Sequence, residues 1–272
     1  MSLIFKNIVF SKSVESFKQA IFEEHVHLKD AYNINEPVIL FGLYRAKDME
    51  LVLNHKSYCM IIFGGSDTFI TDTKFPHNTP KRISYLNQLK KQMFKNKKIV
   101  LIAQSQWISN DLHRMKLYHY KIPWYSLDKK LFHPVNKGNN IYVYNRYNPF
   151  YSSTLINKLE KQLNHKYKFI TADGKIPYNK MSEIYSKSFI GLRLVPHDGL
   201  GSTVQELGLM GIKCIHNGDS PSALNYKNID DIIEHIENEA KTIGSKDEEL
   251  ARKVDEYLNI PDDFFKVSTY FK

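Results

Sequence analysis

The chain has 272 residues, 42% hydrophobic and 25% charged, with 17 Tyr, 16 Phe, two Cys and a formal net charge of +9. This composition fits one large or two modest globular domains and excludes a disordered, collagenous or disulfide-stapled chain. Residues 1–130 hold 20 Lys+Arg against 11 Asp+Glu, while residues 131–272 hold 18 of each, an asymmetry that points to two domains with different partners.

In chain order the hydrophobic periodicity alternates between strand and helix. Residues 3–10 predict a strand and 14–25 a helix; 37–44 (PVILFGLY) predict a strand and 46–55 a helix. Residues 58–63 form a continuous apolar run, as expected of a strand buried on both faces of a parallel sheet. Gly64-Gly65-Ser66-Asp67 closes that run. A helix over 80–94, a strand over 98–103 and a short helix over 110–117 follow. Residues 129–140 (KKLFHPVNKGNN) break the pattern and read as a linker. The alternation then restarts, with strands at 141–144 and 167–171 and helices at 152–163 and 179–185. Beyond residue 218, a helix spans 228–240, and Ser245-x-x-Glu248 predicts a capping box opening a last helix that ends near Leu258. Two parallel-sheet α/β domains, about 1–132 and 133–272, are the expected architecture, with the C-terminal tail returning to the first.

The most informative stretch is 188–218, SFIGLRLVPHDGLGSTVQELGLMGIKCIHNG. It reads as strand, glycine-rich loop, helix, short strand. Pro196 ends the strand because it lacks an amide donor. Gly199 and Gly201 permit a tight bend and close approach of a ligand to the backbone. Ser202 or Thr203 is placed to cap the helix, and Gly211 to end it. Free amides and the positive dipole end at such a helix start suit a phosphate. Glu206 lies one turn in. Arg193, flanked by Leu192 and Leu194, needs a partner, since an unpaired buried charge is costly. A phosphate or a carboxylate such as Asp198 would each serve.

Asp198, seven intervening residues and Glu206 resemble the E-x7-E pair of retaining nucleotide-sugar glycosyltransferases with two Rossmann-like domains, the GT-B fold. Asp198 is one methylene shorter than the family's first Glu. The resemblance covers about 132–217 and implies two Rossmann-like domains facing each other across a cleft. It implies a donor site on the second domain: Glu206 on the ribose, Asp198 and His197 by the sugar, and Gly199, Gly201, Ser202 and Thr203 amides on the diphosphate. Arg146, just after strand 141–144, would bind the pyrophosphate, and Arg193 is a second candidate. The turn at Lys175, Ile176 and Pro177 would read the base, with Tyr178 stacking. The implied activity is sugar transfer from a nucleotide-diphosphate sugar to an acceptor hydroxyl, without metal or other cofactor. A nucleotide-sugar epimerase of the same fold fits the same residues.

In the first half, Gly64, Gly65 and Ser66 follow a buried strand, where open α/β sheets bind ligands. Asp67 fits a general base toward an acceptor hydroxyl, or an Asx-type turn cap. Residues 74–98 carry Lys74, Lys81, Arg82, Lys90, Lys91, Lys95, Lys97 and Lys98 and no acid. A solvated helix face, an anionic membrane or glycan, and a nucleic acid are the three readings; taken alone, the last two describe a non-catalytic binder. Cys59 and Cys214 sit in apolar runs and read as buried thiols of a reducing compartment. Residues 3–10 are too short for a signal segment, so a cytoplasmic chain, peripheral at most to a membrane, is expected.

Overall fold

In the computed structural model, residues 3–70, 79–172 and 176–271 are described. They divide into two units. One comprises Met1–Ser126, His197–Leu200 and Asn259–Lys272, the other Leu127–Pro196 and Gly201–Leu258.

The first unit opens with β1 (Asn7–Phe10), a 3-10 turn at Lys12–Phe17, and α1 (Lys18–Glu24). It continues with β2 (Lys29–Asp30), β3 (Val38–Phe41), α2 (Ala46–Asn54), β4 (Cys59–Phe63), α3 (Thr79–Lys95), β5 (Ile99–Ala103), α4 (Gln106–Arg114) and β6 (Tyr120–Lys121). The strands lie in the order β2-β1-β3-β4-β5-β6, all paired in parallel. Every residue of β3, β4 and β5 is buried, as their unbroken apolar runs require of strands covered on both faces. On α3, Leu86 and Leu89 turn into the core with Met49, Val52 and Ile61, while the lysines stay in solvent. The helix expected over 110–117 begins four residues earlier, because Ser105 caps it by accepting from the Ile108 amide.

The second unit contains β7 (Asn140–Val143), α5 (Ser153–Leu163), β8 (Lys168–Ile170), α6 (Met181–Tyr185), β9 (Ser188–Leu192) and α7 (Ser202–Leu209). It ends with β10 (Lys213–Ile215), β11 (Ala223–Leu224), α8 (Ile229–Ala240) and α9 (Glu248–Leu258). Its sheet is again all parallel, in the order β11-β10-β9-β7-β8. Counted from each unit's first strand, the sheets have the orders 2-1-3-4-5-6 and 2-1-3-4-5, so each reverses its winding between its first and third strands. Residues 129–140 are not a loose linker. Val135 donates to the Met210 carbonyl, and buried Lys137 bonds Glu239 and Thr242.

Two capping assignments need correction. Gly201, at φ +61°, occupies the position before α7, and neither Ser202 nor Thr203 caps it. Asp247, not Ser245, caps α9, accepting from the Leu250 amide at 2.9 Å, while Ser245 bonds back to the Thr242 carbonyl. The C-terminal segment, with α10 (Val267–Tyr270), packs Phe264 and Val267 beside Phe5, Ile8 and Trp124 of the first unit. Cys59 and Cys214 are buried free thiols, and burial pushes the Cys59 thiol up to about 12. Among the described residues no helix is long and apolar enough to cross a membrane.

Leu86→Ala removes a fully buried side chain from the face that seats α3 and is expected to cost about 2–5 kcal/mol, whereas Lys91→Ala on the opposite face should stay within about 0.5 kcal/mol. Urea unfolding of both variants checks this; equal losses would mean that α3 is not seated by its apolar face.

Candidate functional site

In an open parallel sheet, ligands bind beyond the strand C-termini where the winding reverses. In the second unit that point lies after β7 and β9, and it gathers Tyr144, Arg146 and Arg193. The Arg193 guanidinium is buried over the Tyr144 ring at 4.3 Å and near the Tyr151 ring at 5.4 Å. Tyr144 and Tyr151 meet edge to face at 4.8 Å. Aromatic faces, together with the charge of Glu206, thus surround the arginine that called for a partner. Arg146 is ion-paired with Glu160 on α5, so any anion it binds competes with that carboxylate.

Glu206 is 4% exposed, not a solvent-facing helix residue. Its Oε2 accepts from the Tyr185 hydroxyl at 2.7 Å, and Tyr178 also donates to it. Tyr142 packs edge-on against Tyr185 at 4.8 Å. Burial raises the Glu206 carboxyl to about 7; the Tyr185 hydrogen bond, the Arg193 charge and the Tyr178 hydrogen bond pull it back. At neutral pH this carboxyl is balanced between its two forms, sealed beneath tyrosine hydroxyls one turn from the start of α7. There Val204 and Gln205 donate to the Gly201 carbonyl, and the amides ahead of them have no intrahelical acceptor. Ile176 and Tyr178 lie in the segment leading to α6. Lys175 and the rest of the 173–175 turn lie outside the described residues, as does Lys74 of the basic run.

The first unit holds the other predicted residues. Asp67 is buried, and its carboxylate accepts from the amides of Leu43 (3.0 Å), Gly64 (3.2 Å) and Gly65 (2.9 Å). Burial raises its pKa, and these amides oppose the rise. Three amides thus hold the Asp67 carboxylate against the loop, the geometry of the turn cap that was one of its two readings. Ser66 is exposed at the loop tip and bonds the Tyr44 hydroxyl. The loop meets residue 199 backbone to backbone: a Cβ on Gly199 would stand 2.4 Å from the Gly64 carbonyl oxygen.

Beside this contact His197 is buried and stacked on Phe69, with centroids 4.1 Å apart and planes 11° apart, and on Trp107 at 5.7 Å. Its Nε2 lies 2.9 Å from Oδ2 of buried Asp111. Asp111 Oδ1 also accepts from Arg114 at 3.2 Å. Asp198 is half-buried; its Oδ1 accepts from the Gly199 amide at 2.9 Å, and the Ser105 hydroxyl lies 3.4 Å from its carbonyl oxygen. The two stacked rings and the Asp111 carboxylate fix the orientation of this imidazole. Sequence reading missed Asp111, Trp107 and Phe69, and on the other unit Tyr142, Tyr144 and Tyr185. The abundance of Tyr was their only signal. Among the described residues, no group of three or more His, Cys, Asp or Glu is arranged to hold a metal.

Solved structures share this fold. Sucrose-phosphate synthase from Thermosynechococcus elongatus matches with a TM-score of 0.55 at 13% identity, over 95% of this chain and 76% of that one. TarM matches with a TM-score of 0.51 at 11% identity, over 92% of this chain and 56% of that one. A mutant of S. aureus TarM in complex with Fondaparinux, alpha-GlcNAc-glycerol and UDP matches at 0.52, with 11% identity and the same coverage. The chain thus spans three quarters of the synthase and little more than half of TarM. These neighbours are GT-B glycosyltransferases, and the two parallel-sheet units have the GT-B fold. No protein-family model and no curated protein matches the sequence.

Because the folded Glu206 carboxyl is raised to about 7 against an ordinary 4.5, the native state keeps a proton that the unfolded chain has lost. Stability therefore falls as pH rises from about 4.5 to about 7 and is level above, by about 3 kcal/mol in all. Urea unfolding at about pH 5 and about pH 8 should show the wild type losing about 2–3 kcal/mol more than Glu206→Gln, which cannot titrate. Equal pH slopes would mean that Glu206 ionises as an ordinary carboxyl.

Proposed function

We propose that the chain is a glycosyltransferase that moves a sugar from a nucleotide-diphosphate donor to an acceptor hydroxyl. One observation carries the reading. The winding-reversal point of the second sheet brings a buried glutamate, Glu206, and a buried arginine, Arg193, to the start of a glycine-led helix. In this reading Glu206 accepts from the donor ribose hydroxyls, which replace the tyrosine hydroxyls that it now engages. Arg193, Arg146 and the first amides of α7 neutralise the diphosphate, so no metal is required. His197 and Asp198 are assigned to the sugar, and the Gly64–Ser66 loop to the acceptor.

The sugar C1–O bond to the diphosphate breaks, the acceptor oxygen bonds to C1, and the acceptor proton leaves on a diphosphate oxygen. Fixed positive charge aimed at the leaving diphosphate supplies most of the rate. The acceptor enters from the face that the diphosphate leaves, which retains the anomeric configuration. The fold likeness supports the class of reaction; sugar, base and acceptor follow only from the experiment.

A thermal-shift panel of UDP, GDP, dTDP and CMP tests the donor site. One diphosphate should stabilise the chain, by about 2.7 kcal/mol at a hundred times its Kd. Glu206→Gln should weaken that binding about tenfold or more. No shift with any nucleotide at about millimolar concentration, or unchanged affinity in Glu206→Gln, removes the donor site from the second unit.

A further inference from the structure

The strands β4 and β5 are parallel neighbours joined through α3, so α3 runs back between them. Its start lies by the strand C-termini, where Arg82 donates to the Phe69 carbonyl at 2.9 Å on the side of the glycine loop. Its end lies by the strand N-termini, about 24 Å further along the helix. That end carries Lys90, Lys91, Phe94 and Lys95, all exposed, with Lys97 and Lys98 following.

Two more helix ends join this face. Lys90 donates to the Met115 carbonyl at 3.3 Å, beside exposed Arg114, Lys116 and Tyr118 at the end of α4. Gln92 donates to the Leu53 carbonyl at 3.3 Å, and Lys98 to that of Lys56 at 3.5 Å, both at the end of α2. Phe94 is 90% exposed, Tyr118 73% and Leu53 40%. The acids on these helices are exposed Glu50, one turn before Leu53, and two buried residues, Asp48 and Asp111.

Cations at helix C-termini complement the macrodipole and need no ligand. They do not account for Phe94, which meets no other ring among the described residues and stands on a well-seated helix. An exposed aromatic ringed by lysines suits an anionic bilayer: the ring enters the acyl boundary, and the lysine stems snorkel to the headgroups. A nucleic acid is the weaker fit. The face has seven lysines and one arginine, so it lacks the planar forks that grip phosphate in pairs, and Tyr118 meets Tyr120 edge-on at 5.6 Å instead of offering a stacking platform.

We propose that this face docks on a bilayer rich in anionic lipid, with the glycine-loop edge of the first unit turned away from the lipid. The bilayer then holds the protein in place and is not the source of the acceptor.

Co-sedimentation with vesicles of phosphatidylcholine alone, or with about 30 mol% phosphatidylglycerol, tests this without any nucleotide, so its outcome is independent of the donor-site reading. Wild type should bind only the anionic vesicles, and less at about 0.5 M than at about 0.1 M salt. Phe94→Ser should weaken binding about tenfold, as should the combined Lys90→Gln, Lys91→Gln and Lys95→Gln, with melting temperatures unchanged. Val26→Ser, at another exposed apolar residue of the same unit, should bind as wild type. No binding to anionic vesicles, or binding indifferent to Phe94→Ser, overturns the proposal. Lysine-dependent binding to single-stranded DNA that exceeds vesicle binding and ignores Phe94→Ser assigns the face to a polyanion instead.

Discussion

The close approach of Gly199 to Gly64 is the contact on which the rest of the first-unit cluster depends. A side chain at 199 would collide with a carbonyl oxygen, and carbonyl oxygens of a loop held by Asp67 cannot move aside cheaply. With glycine there, residues 197–200 settle into the first unit although the chain before and after them belongs to the second. Everything nearby follows from that crossing. His197 reaches Asp111 and its two aromatic faces, Asp198 presents its carbonyl to Ser105, and Gly201 takes the positive φ that turns the chain into α7. Asp67 therefore matters through the loop shape it maintains, and its burial is the cost of spending one carboxylate on three amides.

Glu206 poses the opposite problem. A carboxylate removed from water is expensive unless it is paired and hydrogen-bonded. Two tyrosine hydroxyls and the Arg193 charge oppose the penalty, yet burial prevails and the carboxyl ends near neutrality. A purely structural site would do better with an apolar residue or a full ion pair, since half-compensated burial sacrifices stability. A further hydrogen-bonding partner would complete the compensation. Ligand hydroxyls with donors to spare would do so, and that is the physical reason for reading Glu206 as a binding group.

The elements were largely legible in the sequence. Runs such as 58–63 and 98–103 are apolar throughout because both faces of a parallel sheet are covered, and the structure finds β4 and β5 there. Caps were less legible. Ser105 was overlooked, Ser202 and Ser245 were misplaced, and in each case backbone geometry a few residues away decided which side chain faced the helix start. The residues of the candidate site were half visible. Glu206 and Arg193 stood out by motif and by an awkward charge in an apolar strand. Asp111 could not, because it meets a residue 86 positions later through a chain crossing that no local pattern encodes. The tyrosine lining was invisible for a similar reason: Tyr142, Tyr144 and Tyr185 look like ordinary strand and helix residues until the sheet order brings them around one carboxyl and one guanidinium.

The charge asymmetry acquires a location in the same frame. Parallel strands joined by returning helices give each unit two unlike edges. One collects strand C-termini and helix N-termini, where loops bend and amides are free; the other collects helix C-termini, where cations are favoured. In the first unit, Ser105, Arg82 and the glycine loop lie at one edge, and the lysines ending α3 with Arg114 and Lys116 lie at the other. Substitutions of the lysines ending α3 share no partner with the Gly199 contact, so their effects should add and not couple, whereas Arg114 pairs with Asp111, the partner of His197. Much of the excess charge of the first half thus lies at the edge opposite the glycine loop.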